Sequence, residues 1–208
     1  MSRDTTAPAR RSWHFGMLSF TGTGHLNPLL ALAQELTHRG HRVTFFERSK
    51  IRDRVLKAGL EFVSVCDDRF RRPVRPILRR PGVGSEIRLL RFRLKRILYD
   101  LEHYLRETPP ALAQAGIDAL LVNEIALTGP TLAQQLDLPY FVISTSVPHN
   151  LGWRAFPWFS GYRASSALYG IDRAFLEVSA LRVRGPIRWA LDRYRKSRGL
   201  GSLRRLMN

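Results

Sequence analysis

Residues 14–47 read H-F-G-M-L-S-F-T-G-T-G-H-L-N-P-L-L-A-L-A-Q-E-L-T-H-R-G-H-R-V-T-F-F-E. His14–Phe20 is a short apolar run closed by a Thr/Gly turn, the pattern of a strand buried on both faces. From Asn27 the period changes to that of a helix. Pro28 suits its first turn, Leu29, Leu30, Leu32, Ala33 and Leu36 form one apolar stripe, and Gly40 supplies the stop. Arg42–Glu47 is a second strand. A short polar helix over Ser49–Ala58 follows, Gly59 ends it, and Leu60–Cys66 is a third strand. This order, with apolar strands, predicts an α/β fold: a parallel sheet with helices on both faces.

The alternation resumes further on. Asp118–Asn123 (D-A-L-L-V-N) reads as a strand, Pro130–Leu136 as a helix, and Pro139–Thr145 (P-Y-F-V-I-S-T) as another strand. Ligands of open α/β sheets bind outside the carboxyl ends of the strands. Any site is therefore expected on the turns 20–26, 47–49, 123–129 and 145–150.

The segment between the two halves differs in composition. Residues 69–96 hold eleven arginines and lysines against one acid, Glu86. A proline-rich loop is expected up to Gly84, then a helix from Glu86. One side of that helix carries Ile87, Leu90, Leu94, Ile97, Leu98, Leu101 and Leu105; the other carries Arg88, Arg91, Arg93, Lys95 and Arg96. Such a helix either lies on an anionic membrane surface or packs its leucines on the core with its arginines in water. After the last strand, W-R-A-F-P-W-F-S-G-Y (residues 153–162) offers either a pocket lining for an apolar molecule or a satellite hydrophobic cluster. Residues 1–12 read as a flexible leader, and the arginine-rich tail from Arg182 shows no closing strand.

Composition narrows the function classes. The 208 residues are 44% hydrophobic and 25% charged, the profile of a globular chain. Lys+Arg total 34 against 17 Asp+Glu, a net charge of +17, and only Lys50, Lys57, Lys95 and Lys196 are lysine. The excess favours anionic partners, or reflects an arginine-rich compositional habit. The single Cys66 rules out an internal disulfide and a multi-thiolate metal site, and the six histidines make no metal-ligand pair. No run suits a spanning helix or a signal peptide, so the expected compartment is the cytoplasm, with peripheral contact at the inner face of the membrane as a possibility for the basic helix. No helix-turn-helix, RNP or zinc pattern accompanies the charge, so no specific nucleic acid is expected.

The chemistry-bearing motif is Gly22-Thr23-Gly24-His25-Leu26-Asn27-Pro28. Its glycines allow close ligand approach, and the following helix points free N–H groups back at the turn. A dinucleotide fingerprint would need glycine where Asn27 stands, although Glu47 is spaced acceptably for a ribose. A phosphate-binding G-K-[ST] is absent. His25 stands at the helix entrance, where the positive helix end disfavours a second proton on the ring. A neutral imidazole there can accept a proton, as a general base must, or it can merely cap and pack.

The quoted 14–47 stretch resembles the start of family-1, UDP-glycosyltransferase-type enzymes of the GT-B fold, the bacterial zeaxanthin (carotenoid), macrolide and sterol glucosyltransferases among them. D-A-L-L-V-N-E and T-L-A-Q-Q-L-D-L-P-Y-F-V-I-S-T resemble the fourth and fifth strands of that amino-terminal, Rossmann-like domain. The resemblance implies a hexosyltransferase with inverting transfer from a UDP- or other NDP-sugar to a hydroxyl of a lipophilic acceptor, and no separate cofactor. It makes His25 the base and assigns Asn123 the place of the aspartate that orients it. Asparagine brings no negative charge, and in a serine-protease triad the same swap holds the wrong tautomer. Glu124 could substitute only if its strand ends at Asn123. Thr23, Gly24, Glu124, Ser146, Asn150 and Trp153 are the residues expected on the acceptor.

Family members are about twice as long and bind the nucleotide sugar mainly through a carboxy-terminal domain, which residues 150–208 do not resemble. The expectation is residues 13–208 as an acceptor-binding domain incomplete at its C-terminal end, with the donor domain absent. The 208-residue chain alone is then expected to be inactive. The alternatives are a non-catalytic binding remnant of the same domain, a basic nucleic-acid-binding protein and a nicotinamide-binding half-domain.

Overall fold

The computed structural model describes residues 11–66, 83–145 and 185–202. Along the chain run β1 (His14–Leu18), α1 (Thr23–His38), β2 (Arg42–Glu47), a 3-10 turn (Ser49–Ile51) leading into α2 (Arg52–Lys57), and β3 (Glu61–Ser64). Then come the long α3 (Val83–Ala115), β4 (Ala119–Asn123), α4 (Gly129–Gln135), β5 (Tyr140–Ile143) and α5 (residues 185–197). The five strands form one parallel sheet in the order β3-β2-β1-β4-β5.

Strand alternation divides the core between the two faces. Met17, Phe45 and Leu121 lie opposite one another in register and pack with Leu26, Leu29 and Ala33 of α1 and Val55 of α2. Their neighbours Leu18, Phe46, Leu120 and Val122 point the other way, against Leu101, Leu105 and Leu112 of α3, Leu132 of α4 and Leu191 of α5. Strands flanked on both faces must be apolar throughout, which is why the runs read as continuous rather than alternating. Two leucines in the middle of the basic helix, Leu101 and Leu105, thus belong to the core.

Several boundaries differ from expectation. α1 starts at Thr23, not Asn27, because the Gly22 carbonyl already accepts the N–H groups of His25 (3.1 Å) and Leu26 (2.9 Å). Pro28 therefore sits in the second turn, where it has no N–H to offer the Gly24 carbonyl. β3 and β5 are each shorter than the apolar runs that announced them. α3 begins at Val83 rather than Glu86 and continues through Pro109 and Pro110. Pro109 leaves the Leu105 carbonyl without its helical donor, and the Tyr194 hydroxyl of α5 donates to it at 2.8 Å. Chain reversals at Gly40 and Gly59 take φ of +87° and +75°, the left-handed region glycine tolerates.

α5 is held by a buried cation. Arg195 is 2% exposed and donates to the Gly201 carbonyl (2.6 Å), Thr131 Oγ1 (3.2 Å) and Gln134 Oε1 (2.7 Å). The expected leader falls mostly outside the described residues, as does the stretch up to Gly84 expected to be a loop; the aromatic 153–162 stretch lies wholly outside them. No described helix is long and apolar enough to cross a membrane.

Candidate active site

The strand order reverses between β1 and β4, so the loops after these two strands diverge and leave a crevice at the sheet's carboxyl edge. The loop after β1 leads into His25 on the first turn of α1, and β4 ends at Asn123 on the same edge. β5, next to β4, delivers Ser144 and Thr145. Three stretches distant in sequence meet here.

His25 is half-buried, and its ring meets that of Phe20 edge-on with centroids 5.5 Å apart. Its Nδ1 lies 2.7 Å from Thr145 Oγ1. Asn123, fully buried, does not take the direct place beside the imidazole that the resemblance assigned to it. Its amide nitrogen donates instead to Thr145 Oγ1 at 3.0 Å, and its amide oxygen accepts the Ile125 N–H at 3.2 Å. The Thr145 hydroxyl, delivered from beyond β5, stands between the Asn123 amide and the imidazole. β4 does end at Asn123, as a substituting Glu124 required. The Glu124 carboxylate, however, holds the β5 end: it accepts the Thr145 N–H at 3.1 Å and a hydrogen bond from the Ser144 hydroxyl.

Thr23 and Gly24 are exposed on the first turn of α1. A Cβ added to Gly24 would meet nothing within 4 Å, and its φ is not in the left-handed region, so neither packing nor backbone geometry explains glycine there. What its missing side chain leaves is open space beside a helix N-terminus that carries no acid in its first turn. Ser146, Asn150 and Trp153 lie outside the described residues.

A cavity of about 500 Å³ opens beside this edge, between the carboxyl ends of β1, β2 and β4 and the middle of α3. Its walls are mainly apolar: Leu18, Phe46, Phe92, Ile97, Leu101, Ile125 and Leu127 contribute. Phe20 both lines this cavity and touches His25; His25 itself is not part of the lining. Arg93 and Arg96 of the basic helix also reach the lining, so the charged side of that helix is not turned wholly to water.

One wall is polar, and sequence reading missed it. Arg48 pairs with Asp100 at 2.6 Å, Asp100 also meets Arg96 at 3.4 Å, and Tyr104 donates to Glu47. Glu47 is 3% exposed, and burial pushes its carboxyl up to about 7 against the pull of Arg48 and its backbone N–H. Fastened in this way, Glu47 is not the free carboxylate a ribose would need. Two atoms of lining residues, Ser19 Oγ and Arg48 Nε, are buried without a hydrogen-bond partner among the described residues. Asp100 and Tyr104 were invisible because they looked like ordinary surface positions of an amphipathic helix. Their one signal is that both share a face with Ile97, three residues before Asp100 and seven before Tyr104. Among the described residues no cluster of histidine, cysteine and carboxylate could hold a metal.

The parallel β3-β2-β1-β4-β5 sheet is Rossmann-like, and it matches the amino-terminal half of GT-B glycosyltransferases. Residues 17–146 match the glycosyltransferase family 28 N-terminal domain, and the chain belongs to that family. It is 28% identical over 177 residues to demethyllactenocin mycarosyltransferase of Streptomyces fradiae, covering 82% of this chain and 36% of the relative. It is 27% identical over 143 residues to zeaxanthin glucosyltransferase of Pantoea ananas (66% and 32%) and 28% over 140 residues to sterol 3-beta-glucosyltransferase of Eremothecium gossypii (66% and 11%). The chain thus spans about a third or less of these relatives. Among solved structures, the Streptomyces sp. SF2575 glycosyltransferase SsfS6 superposes with a TM-score of 0.58 at 18% identity, covering 91% of this chain and 47% of that one. The kitacinnamycin glycosyltransferase gives 0.56 at 21% identity, covering 91% and 41%. At such identities the superpositions speak for the fold.

Proposed function

We propose that this chain is the acceptor-binding part of an inverting hexosyltransferase that moves a sugar from a UDP- or other NDP-sugar to a hydroxyl of a lipophilic compound. In this reading the cavity seats the apolar body of the acceptor, of carotenoid, sterol or macrolide kind. The hydroxyl projects past Phe20 toward His25, whose Nε2 takes its proton as the oxygen attacks the anomeric carbon and the nucleoside diphosphate leaves. The carrying observation is the juxtaposition of a half-buried imidazole at a helix entrance with an apolar cavity of about 500 Å³. The donor sugar is held chiefly by a carboxy-terminal domain, and the 208-residue chain alone binds acceptor without transferring sugar.

The test supplies a donor-binding domain to the chain and measures transfer to a hydroxylated lipophile. His25→Ala is expected to lower the rate about 10²–10⁴-fold, the range for a lost general base, with an unchanged circular dichroism spectrum. Near-parental turnover would remove the base assignment. A second reading, a binding domain without catalysis, draws on the amide at position 123, which among the described residues reaches the imidazole through Thr145. Under it no donor domain restores transfer, while acceptor binding persists.

A further inference from the structure

We propose that Thr145 is the residue that positions His25, and that the Asn123 amide behind it orients the hydrogen-bond chain so that the resting imidazole carries its proton on Nε2. The functional consequence rests on the base reading above; the proton placement itself does not.

The argument follows the direction of each hydrogen bond. The Asn123 side chain cannot rotate end for end: its oxygen accepts the Ile125 N–H at 3.2 Å, and its nitrogen faces the Ile143 carbonyl at 3.5 Å. The amide therefore presents N–H, not oxygen, to Thr145 Oγ1 at 3.0 Å. That hydroxyl has one proton and two lone pairs. With one lone pair taken by Asn123, its polar contact besides Asn123 among the described residues is His25 Nδ1 at 2.7 Å. A head-to-tail chain from amide N–H to hydroxyl to imidazole uses every donor, and each bond polarises the next. The reverse arrangement, Nδ1–H donating to the hydroxyl, would leave the Thr145 proton with no protein acceptor among the described residues. Glu124 steadies the bridge by holding the Thr145 N–H at 3.1 Å.

The outcome is a histidine whose outward nitrogen is a donor at rest. Before Nε2 can take a proton from an acceptor hydroxyl, the ring must move its own proton to Nδ1 and the Thr145 hydroxyl must turn away. A carboxylate at position 123 reverses the whole chain. It accepts the Thr145 proton, Thr145 accepts from Nδ1–H, and Nε2 is left free. Thr145 is a positioning residue, acting through His25.

The experiment records ring-nitrogen NMR spectra of the ¹⁵N-histidine-labelled 208-residue chain, above the pH at which imidazoles protonate. Expected for the parent is the upfield, protonated signal on Nε2 of His25 and the downfield, unprotonated signal on Nδ1. Asn123→Asp exchanges the two, Thr145→Ser keeps the parental pattern, and Thr145→Val gives averaged signals. His14, buried and bonded to Thr44 at 2.8 Å, reports that each variant is folded, because its own signals stay in place. A parental His25 protonated on Nδ1, or a pattern that Thr145→Val leaves unchanged, would overturn the proposal. Because no sugar transfer is read, this result stands apart from that of His25→Ala. A confirmed Nε2 proton with a fully active alanine variant would sink the base and leave the bridge standing.

Discussion

Glu47 shows how one side chain acquires a property that its neighbours in sequence do not announce. It ends β2 at the carboxyl edge of the sheet, where Tyr104 donates to it, and the folded chain keeps its proton up to about pH 7, whereas an ordinary glutamate releases it near 4.5. Between those values the native state binds more protons than the unfolded one, so stability falls as pH rises through that window. Glu47→Gln keeps an oxygen for Tyr104 and the Arg48 N–H but has nothing to ionise. The variant is expected to match its parent below about pH 4.5 and to exceed it above about pH 7, by at most about 3.5 kcal/mol, the worth of the shift at about 1.4 kcal/mol per unit. Urea unfolding at both ends of the window checks this; a parent that gains stability with rising pH relative to the variant contradicts it. Cys66, φ +59° at the end of the third strand region, is the complementary case: burial pushes its thiol up to about 11, so it is inert rather than catalytic.

Among the elements, α4 is closely docked on β4. Gly129 opens it, and a Cβ there would lie 2.2 Å from Val122 Cγ1 on β4. Gly129→Ala must therefore push the helix off the strand that carries Asn123. The expected cost is about 1–3 kcal/mol, read as a lower denaturation midpoint, with Gly24→Ala as the control that leaves stability near parental because nothing stands within 4 Å. Equal midpoints for the two variants would disprove the packing argument. The helices were largely legible from sequence because their causes are local. The stripe Leu29, Ala33 and the stop before Gly40 mark α1 without reference to any partner. Its first residue was misplaced because Pro28 favours a first turn in general, and only the Gly22 carbonyl contacts reveal the earlier start.

At the scale of the whole molecule, the basic helix proves to be a wall as much as a surface. Ile97 and Phe92 cover the cavity at the sheet edge, and Asp100, Arg48 and Arg96 close it with charge. If the cavity seats the acceptor, a hydroxylated polyene or sterol added to the 208-residue chain binds saturably, measured by retention on dialysis. Ile97→Arg, which places a cation among the apolar lining, is expected to weaken that binding at least tenfold. Undiminished binding by the variant would move the acceptor elsewhere.

The order of strands and helices, the apolar faces and the histidine at a helix entrance could be read from the chain alone, since hydrophobic period, proline and glycine act within a few residues of where they stand. Thr145 against a histidine 120 residues away, the amide aligned behind it and the cavity under α3 could not. Those depend on β5 lying beside β4 and on a long helix crossing one sheet face, and such contacts arise only when separate segments are packed into the same space.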